Sequence, residues 1–220
     1  MKPGGLFITG TCTDVGKSVV TAMLARSMCR RGLRPTAAKP LSTGSAPPGP
    51  DATLIAAAAG HAPRVFRSFP TPAAPDRSAR IANESIDPQR IVSWCAALSC
   101  PRLIEGVGGW EVPLVGRWNV SDLAVALGHP VLVVARNHLG VLNHTLLTCA
   151  AIEHRGLKLA GVALVSDGPD PSPLEHWNLD DLRNRLKAPV EPVPHYRTMP
   201  PPTSDEDRLL DQFWPGLGGA

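Results

Sequence analysis

The feature that most constrains this chain lies at its start, where a short apolar run, Gly5 to Gly10, leads into Gly10-Thr11-Cys12-Thr13-Asp14-Val15-Gly16-Lys17-Ser18. Val19, Val20, Met23, Leu24 and Met28 then recur at helical spacing as far as Arg31, and Gly32 supplies a C-terminal stop. Strand, glycine turn and helix in that order read as a P-loop, here a variant with one more residue between the glycines than the usual pattern. The backbone N–H groups of such a loop, with the start of the helix, form a positive cradle for phosphates. The motif predicts a nucleotide site built from Thr13, Asp14, Val15, Gly16, Lys17, Ser18 and Val19. Lys17 would reach the outer phosphates, and the Ser18 hydroxyl would ligate Mg2+.

Further along, apolar runs alternate with helical patterns. Strands are expected at Arg34 to Leu41, Arg102 to Glu105, Pro130 to Ala135, Leu159 to Val165 and Val190 to Val193. Helices are expected at Ala52 to Ala59 with Asp51 as N-cap, Asp87 to Leu98, Ser121 to Leu127, Gly140 to His154 and Leu174 to Leu186. Ser42 to Pro50 reads as a mobile Gly/Pro/Ser loop, and Pro63 to Pro75 as a surface wrap. Continuous apolar strands separated by helices predict a doubly wound α/β fold, a mainly parallel sheet with helices on both faces, of P-loop NTPase type. A length of 220 residues with 43% hydrophobic content fits one domain, 1–220, with 215–220 as a frayed tail.

Charge and cysteine usage narrow the setting. The 22 basic and 19 acidic residues are spread along the chain without a Lys/Arg tract, so no nucleic-acid partner is expected. The apolar run from Pro130 is far shorter than the roughly 20 residues of a membrane span, and MKPGGLFITG lacks the long apolar core of a secretory signal. The five cysteines are scattered, with no C-x-x-C pair, which argues for reduced thiols and against a zinc site or disulfide framework. A cytoplasmic location is the expectation.

Ligands of open α/β sheets collect at the carboxyl ends of the strands. Glu105 closes the third predicted strand there and is the first candidate for Mg2+, which prefers hard oxygen donors. Asp51, after the loop, could reach the same ion or simply cap its helix. Lys39, beside Pro40 at the end of the second strand, would add a cation near the γ-phosphate, with Ser42 and Thr43 next to it.

Together FITGTCTDVGKS, AAKPLSTG, DATLIAAAAG, LIEGVGGWEVPL and HLGVLNHTLLTCAAIEHRGLKLAG resemble the dethiobiotin synthetase family. The resemblance implies an ATP- and Mg2+-dependent ring closure of 7,8-diaminononanoate with CO2, through a carbamate and a carbamic-phosphoric anhydride. It places Lys17 and Lys39 at the carbamate and the transferring phosphoryl group. Thr13, Thr43 and Gly108 would lie at the diamine, and Ser18, Asp51 and Glu105 around Mg2+. Glu105, Gly108, Val165, Ser166 and Pro194 join the ATP site. It further implies a homodimer in which Gly140, Val141, Asn143 and Trp177 of one subunit hold the carboxylate of a substrate bound to the other. Read without it, Asn143 is a polar first-turn residue and Trp177 a core residue.

Several positions depart from the family pattern: Cys12 for an acidic residue, Asp14 for Glu, Ser18 for Thr, Val165 for an adenine-reading Asn, and Ala74-Pro75-Asp76 for Ser-Pro-His. These keep two alternatives open, a related ligase acting on another amine and a P-loop ATPase switch whose hydrolysis controls dimerisation.

Overall fold

The computed structural model describes residues 4–196 and 201–214. The first half contains β1 (Gly5–Gly10), α1 (Lys17–Arg30), β2 (Thr36–Ala38), β3 (Leu41–Thr43), α2 (Pro50–Ala59), β4 (Arg67–Phe69), α3 (Pro75–Ile81) and α4 (Pro88–Ala96). It continues with β5 (Arg102–Gly109), β6 (Pro113–Val115), β7 (Trp118–Asn119), α5 (Val120–Leu127), β8 (Val131–Asn137), α6 (Val141–His154), β9 (Leu159–Ser166), α7 (Pro173–Arg185), β10 (Val190–Val193) and α8 (Ser204–Phe213). Six strands form one sheet in the order β10-β9-β8-β1-β5-β2, and every pairing in it is parallel. The doubly wound α/β expectation holds.

Alternation along the strands sends neighbouring side chains to opposite faces, so each strand feeds two cores. Phe7, Ile104, Val133 and Ala135 pack towards α4, α5, α6 and α7. Leu6, Ile8, Leu103, Leu132 and Val134 pack towards α1, α2 and α8. The face of α1 that meets the sheet is Val20, Met23, Leu24 and Met28, all fully buried at helical spacing. Burying each such side chain contributes about 1.5–3 kcal/mol. The helix stops where Gly32 turns left-handed and Leu33 N–H returns to the Met28 carbonyl at 3.0 Å.

Several expected boundaries shift for identifiable reasons. The strand expected over Arg34 to Leu41 breaks in two, because Pro40 has no N–H to give to a ladder. Its second part, β3, pairs in parallel with β4, so Ser42 and Thr43 continue a strand into the stretch read as a mobile loop, and Arg67 to Phe69 form a strand within the stretch read as a surface wrap. Asp51 is not an N-cap: α2 starts at Pro50 after Gly49, and Asp51 lies in its first turn. The third strand runs on to Gly109, so Glu105 sits inside it and not at its end. Ala74-Pro75-Asp76 is the start of α3, where the Asp76 carboxylate accepts from Gly116 N–H at 2.9 Å and pairs with Arg80. The expected frayed tail, 215–220, lies outside the described residues.

Candidate active site

The P-loop hangs between β1 and α1. It is anchored on β8 by the Thr11 N–H bond to the Val134 carbonyl at 3.0 Å. Asp14 and Gly16 both have positive φ, and Gly16 tolerates it because it lacks a Cβ. The start of α1 carries no side-chain cap and no acidic residue, so its N–H groups and positive dipole end face the loop. Opposite, β5 bulges away from β1: Ile8 pairs with Glu105, but Gly10 pairs only with Gly109. Gly108 within the bulge is left-handed, and a Cβ at Gly109 would stand 3.3 Å from the Thr11 carbonyl oxygen. Glycines are what let the second loop come this close to the first.

At the floor lies a knot of charge. Glu105 is fully buried. Its Oε1 accepts from Ser18 Oγ at 2.7 Å and from Lys39 Nζ at 2.9 Å, while its Oε2 is buried without a partner among the described residues. Lys39 Nζ also pairs closely with Asp51. The shift of Asp51 from N-cap to first turn is what frees its carboxylate for this contact. Lys17 Nζ donates to the Cys12 carbonyl at 2.9 Å.

The two lysines differ in their electrostatics. Burial pulls the Lys17 ammonium below the ordinary lysine range, with Lys39 adding to the pull and only partial compensation from Glu105. Burial acts on Lys39 in the same direction, but Glu105 and Asp51 in direct contact outweigh it and hold its pKa above the ordinary value. Asp51 is also desolvated, yet Lys39 holds its carboxyl below the usual range. Lys39 is thus a fixed cation, and Lys17 is one that gains by meeting an anion.

Above the knot opens a cleft of about 330 Å3. Thr13, Asp14, Gly16, Lys17, Ser18 and Val19 line it on one side, and Lys39, Thr43, Asp51 and Gly108 on the other. Arg136 and Tyr196 also line it and were not among the sequence candidates. Arg136 follows an apolar strand run at the sheet's carboxyl edge, a signal that could have found it. A larger hollow of about 470 Å3 lies at the amino ends of β9 and β10, away from this chemistry.

Other candidates fall elsewhere. Val15 is buried in the core, and Val165 is buried at the spot where a Gly16 side chain would sit. The Ser166 carbonyl oxygen is 3.3 Å from His195 Nδ1, and Pro194 is exposed. Gly140, buried Val141 and exposed Asn143 form the start of α6, and none lines the cleft. Trp177, read without the resemblance as core, is 65% exposed on α7.

A parallel sheet, a glycine loop feeding a helix at its carboxyl edge, and a lysine–serine pair at the helix start define the P-loop nucleoside triphosphate-binding class. Solved structures of that class share the fold. A putative plasmid partition protein from Borrelia burgdorferi bound to AMPPNP aligns with a TM-score of 0.57 at 8% identity, covering 97% of this chain and 98% of that one. A ParA family ATPase from Chlorobium tepidum gives 0.55 at 13% identity, covering 98% and 91%. Residues 4–198 match the family described as AAA domain. Among curated proteins, the ATP-dependent dethiobiotin synthetase of Anaeromyxobacter dehalogenans is 41% identical over 199 residues, 86% of this chain and 89% of that one. That of Aromatoleum aromaticum is 36% identical over 208 residues, 88% and 92%. The chain belongs to the ATP-dependent dethiobiotin synthetase family, ATP-dependent ligases of biotin biosynthesis.

Proposed function

We propose that this enzyme closes 7,8-diaminononanoate with CO2 into the cyclic urea dethiobiotin, converting ATP to ADP and phosphate. The observation that carries the reading is the placement of Lys39 between Glu105 and Asp51, in the same cleft as the P-loop lysine and the Thr13 and Thr43 side chains. One amine adds to CO2 and loses a proton to give a carbamate. A carbamate oxygen attacks the γ-phosphorus and ADP leaves, which yields the carbamic-phosphoric anhydride. The second amine then attacks the carbonyl carbon, loses its proton and expels phosphate.

Each step builds negative charge on oxygens between two cations. Lys17 and Lys39 are already desolvated and held in place, so they stabilise that charge without reorganising. Thr13 and Thr43 would orient the amine and the carbamate, with Gly108 admitting the substrate close to the loop.

Mg2+ fits the oxygen donors. Ser18 Oγ and the Asp51 carboxylate line the cleft, and the buried Glu105 carboxylate, which accepts from Ser18 and keeps an orphaned Oε2, lies against them, so these are the hard donors that would hold the ion. Held there, the ion would supply Lewis-acid neutralisation of the phosphate oxygens.

The substrate's distal carboxylate would be held by a second copy, at the start of α6 from Gly140 to Asn143 and beside Trp177, where the N–H groups after Val141, itself bonded to the His138 carbonyl, suit an anion. Large apolar side chains left on that surface support a dimer: Leu139 is 81% exposed, Leu147 63% and Trp177 65%.

The test combines the purified protein with ATP, Mg2+, bicarbonate and 7,8-diaminononanoate, and follows ADP release and product mass together. Dethiobiotin in step with ADP is expected. ATP hydrolysis without amine dependence would move the chain to a switch-type role, and turnover with a different diamine would change the substrate.

A further inference from the structure

The cleft is longer than the charged knot at one end of it. From Thr43, Asp51 and Gly108 it passes over the P-loop to Arg136 and Tyr196, which the phosphate chemistry leaves without a task. The strand order separates the two ends. Lys39 follows β2 and Glu105 lies in β5, on one side of β1, whereas Arg136 is next to last in β8 and Tyr196 follows β10, on the other side. Arg136 is registered with Val165, the residue that packs against Gly16. By alternation it shares a face with Leu132 and Val134, the face that α1 covers. The guanidinium therefore borders the start of α1 on the side away from the metal and amine groups.

Arg136 is held loosely. Its Nε is buried without a partner among the described residues, and its Nη1 is 3.6 Å from Asp167 Oδ1, longer than a hydrogen bond. The turn that presents Asp167 is, by contrast, firmly built. Asp167 N–H donates to Glu175 Oε1 at 2.8 Å, and Glu175 is only 6% exposed. Asn137 Nδ2 donates to the Glu175 carbonyl at 3.0 Å, and Asn178 Nδ2 to Asn137 Oδ1 at 2.9 Å. A rigid frame thus carries a planar cation with spare donors, next to a phosphate loop and along one cleft with the chain's single tyrosine. A guanidinium plane and a phenol ring are both suited to the flat face of a base, and the spare N–H groups to ribose or α-phosphate oxygens.

We propose that Arg136 and Tyr196 clamp the nucleoside end of the bound triphosphate, chiefly by stacking on the base. The inference rests on the nucleotide reading of the cleft given above. Every base has a π-face, so a stacking clamp selects the triphosphate strongly and the base weakly.

The test is calorimetric binding of ATP, GTP and CTP with Mg2+ and no amine, to the wild type and to Arg136→Gln, Arg136→Lys, Tyr196→Phe and Tyr196→Ala. Circular-dichroism melts confirm the fold of each, and the lysine variant serves where the glutamine variant does not fold. The wild type is expected to bind the three nucleotides within about fivefold of one another. Arg136→Gln, Arg136→Lys and Tyr196→Ala should each weaken all three by about tenfold, while Tyr196→Phe binds like the wild type. Wild-type affinity in any of those three variants overturns the clamp, and so does a wild type that prefers ATP by more than about a hundredfold. A wild type that binds none of the nucleotides removes the nucleotide reading itself. The ADP-release assay tests that reading separately, so the two failures are distinguishable.

Discussion

Glu105 has no exposed surface, and its charge is tolerated because Lys39 lies against it. Removing one member of such a pair strands the other in low dielectric. Lys39→Ala is expected to destabilise the protein by about 3 kcal/mol in urea unfolding, besides lowering kcat/KM for the diamine. Adding Glu105→Gln should restore most of the stability, which assigns that loss to the stranded carboxylate, while turnover stays lost because both the lysine and a proposed metal ligand are gone. A second residue, His129, bears on pH dependence. Burial, with Arg102 nearby, holds its imidazole below the ordinary value. The unfolded chain therefore binds a proton that the folded chain refuses, so this contribution is complete above about pH 6.5 and declines as pH falls below it. His129→Gln should flatten the fall in urea midpoint between about pH 7 and pH 5; an unchanged slope would assign it to other groups.

At the scale of elements, the least anticipated piece is α8, which seals α1 against the sheet. Leu209, Leu210 and Phe213 are fully buried, and a Cβ on Gly161 would come within 2.5 Å of Phe213 Cε1. Fully buried Glu206 pairs closely with Arg26 and Arg30, whose side chains are 21% and 33% exposed. Which side is deleted should therefore matter. Arg26→Ala with Arg30→Ala leaves a buried carboxylate alone and is expected to cost about 3 kcal/mol, whereas Glu206→Gln leaves two cations that reach water and should cost about 1 kcal/mol. Thermal unfolding of both compares them. Nothing in the sequence reading pointed to α8, although its acidic first turn and apolar stripe are a helix signal. The P-loop, α1 and the central strands were legible because their apolar periodicity is local. The β3–β4 pair was not, because its three-residue strands exist only through partners distant in sequence; the β6–β7 hairpin was too short to show a period, and β5 runs on through the glycines from Gly106 to Gly109, which carry no apolar alternation. Within the cleft, Lys17, Ser18, Lys39, Asp51 and Glu105 could be named from motif and strand order, but the bridge that Lys39 makes depended on where α2 starts.

For the whole molecule, the P-loop's outer side and the Gly109-to-Val112 turn share an apolar groove with Leu147. If a second copy covers this surface, Leu147→Asp should shift the mass in light-scattering chromatography from dimer to monomer. It should also raise the KM for the diamine, since the carboxylate site on α6 would be lost with the partner. A wild type that elutes as a monomer at micromolar concentration would remove the dimer from the proposal.

The dependence of α1 on α8 also carries a temporal meaning. Residues 204–213 are translated long after residues 17–30, at about 5–20 residues per second, so the phosphate loop leaves the ribosome on the order of 10–40 s before the helix that seats it. A chain released before residue 204 would possess every group lining the cleft, yet present the uncovered flank of α1 and β9 to chaperones and proteases. Quality control would meet such a product as an unfinished folding client, not as a weakened enzyme.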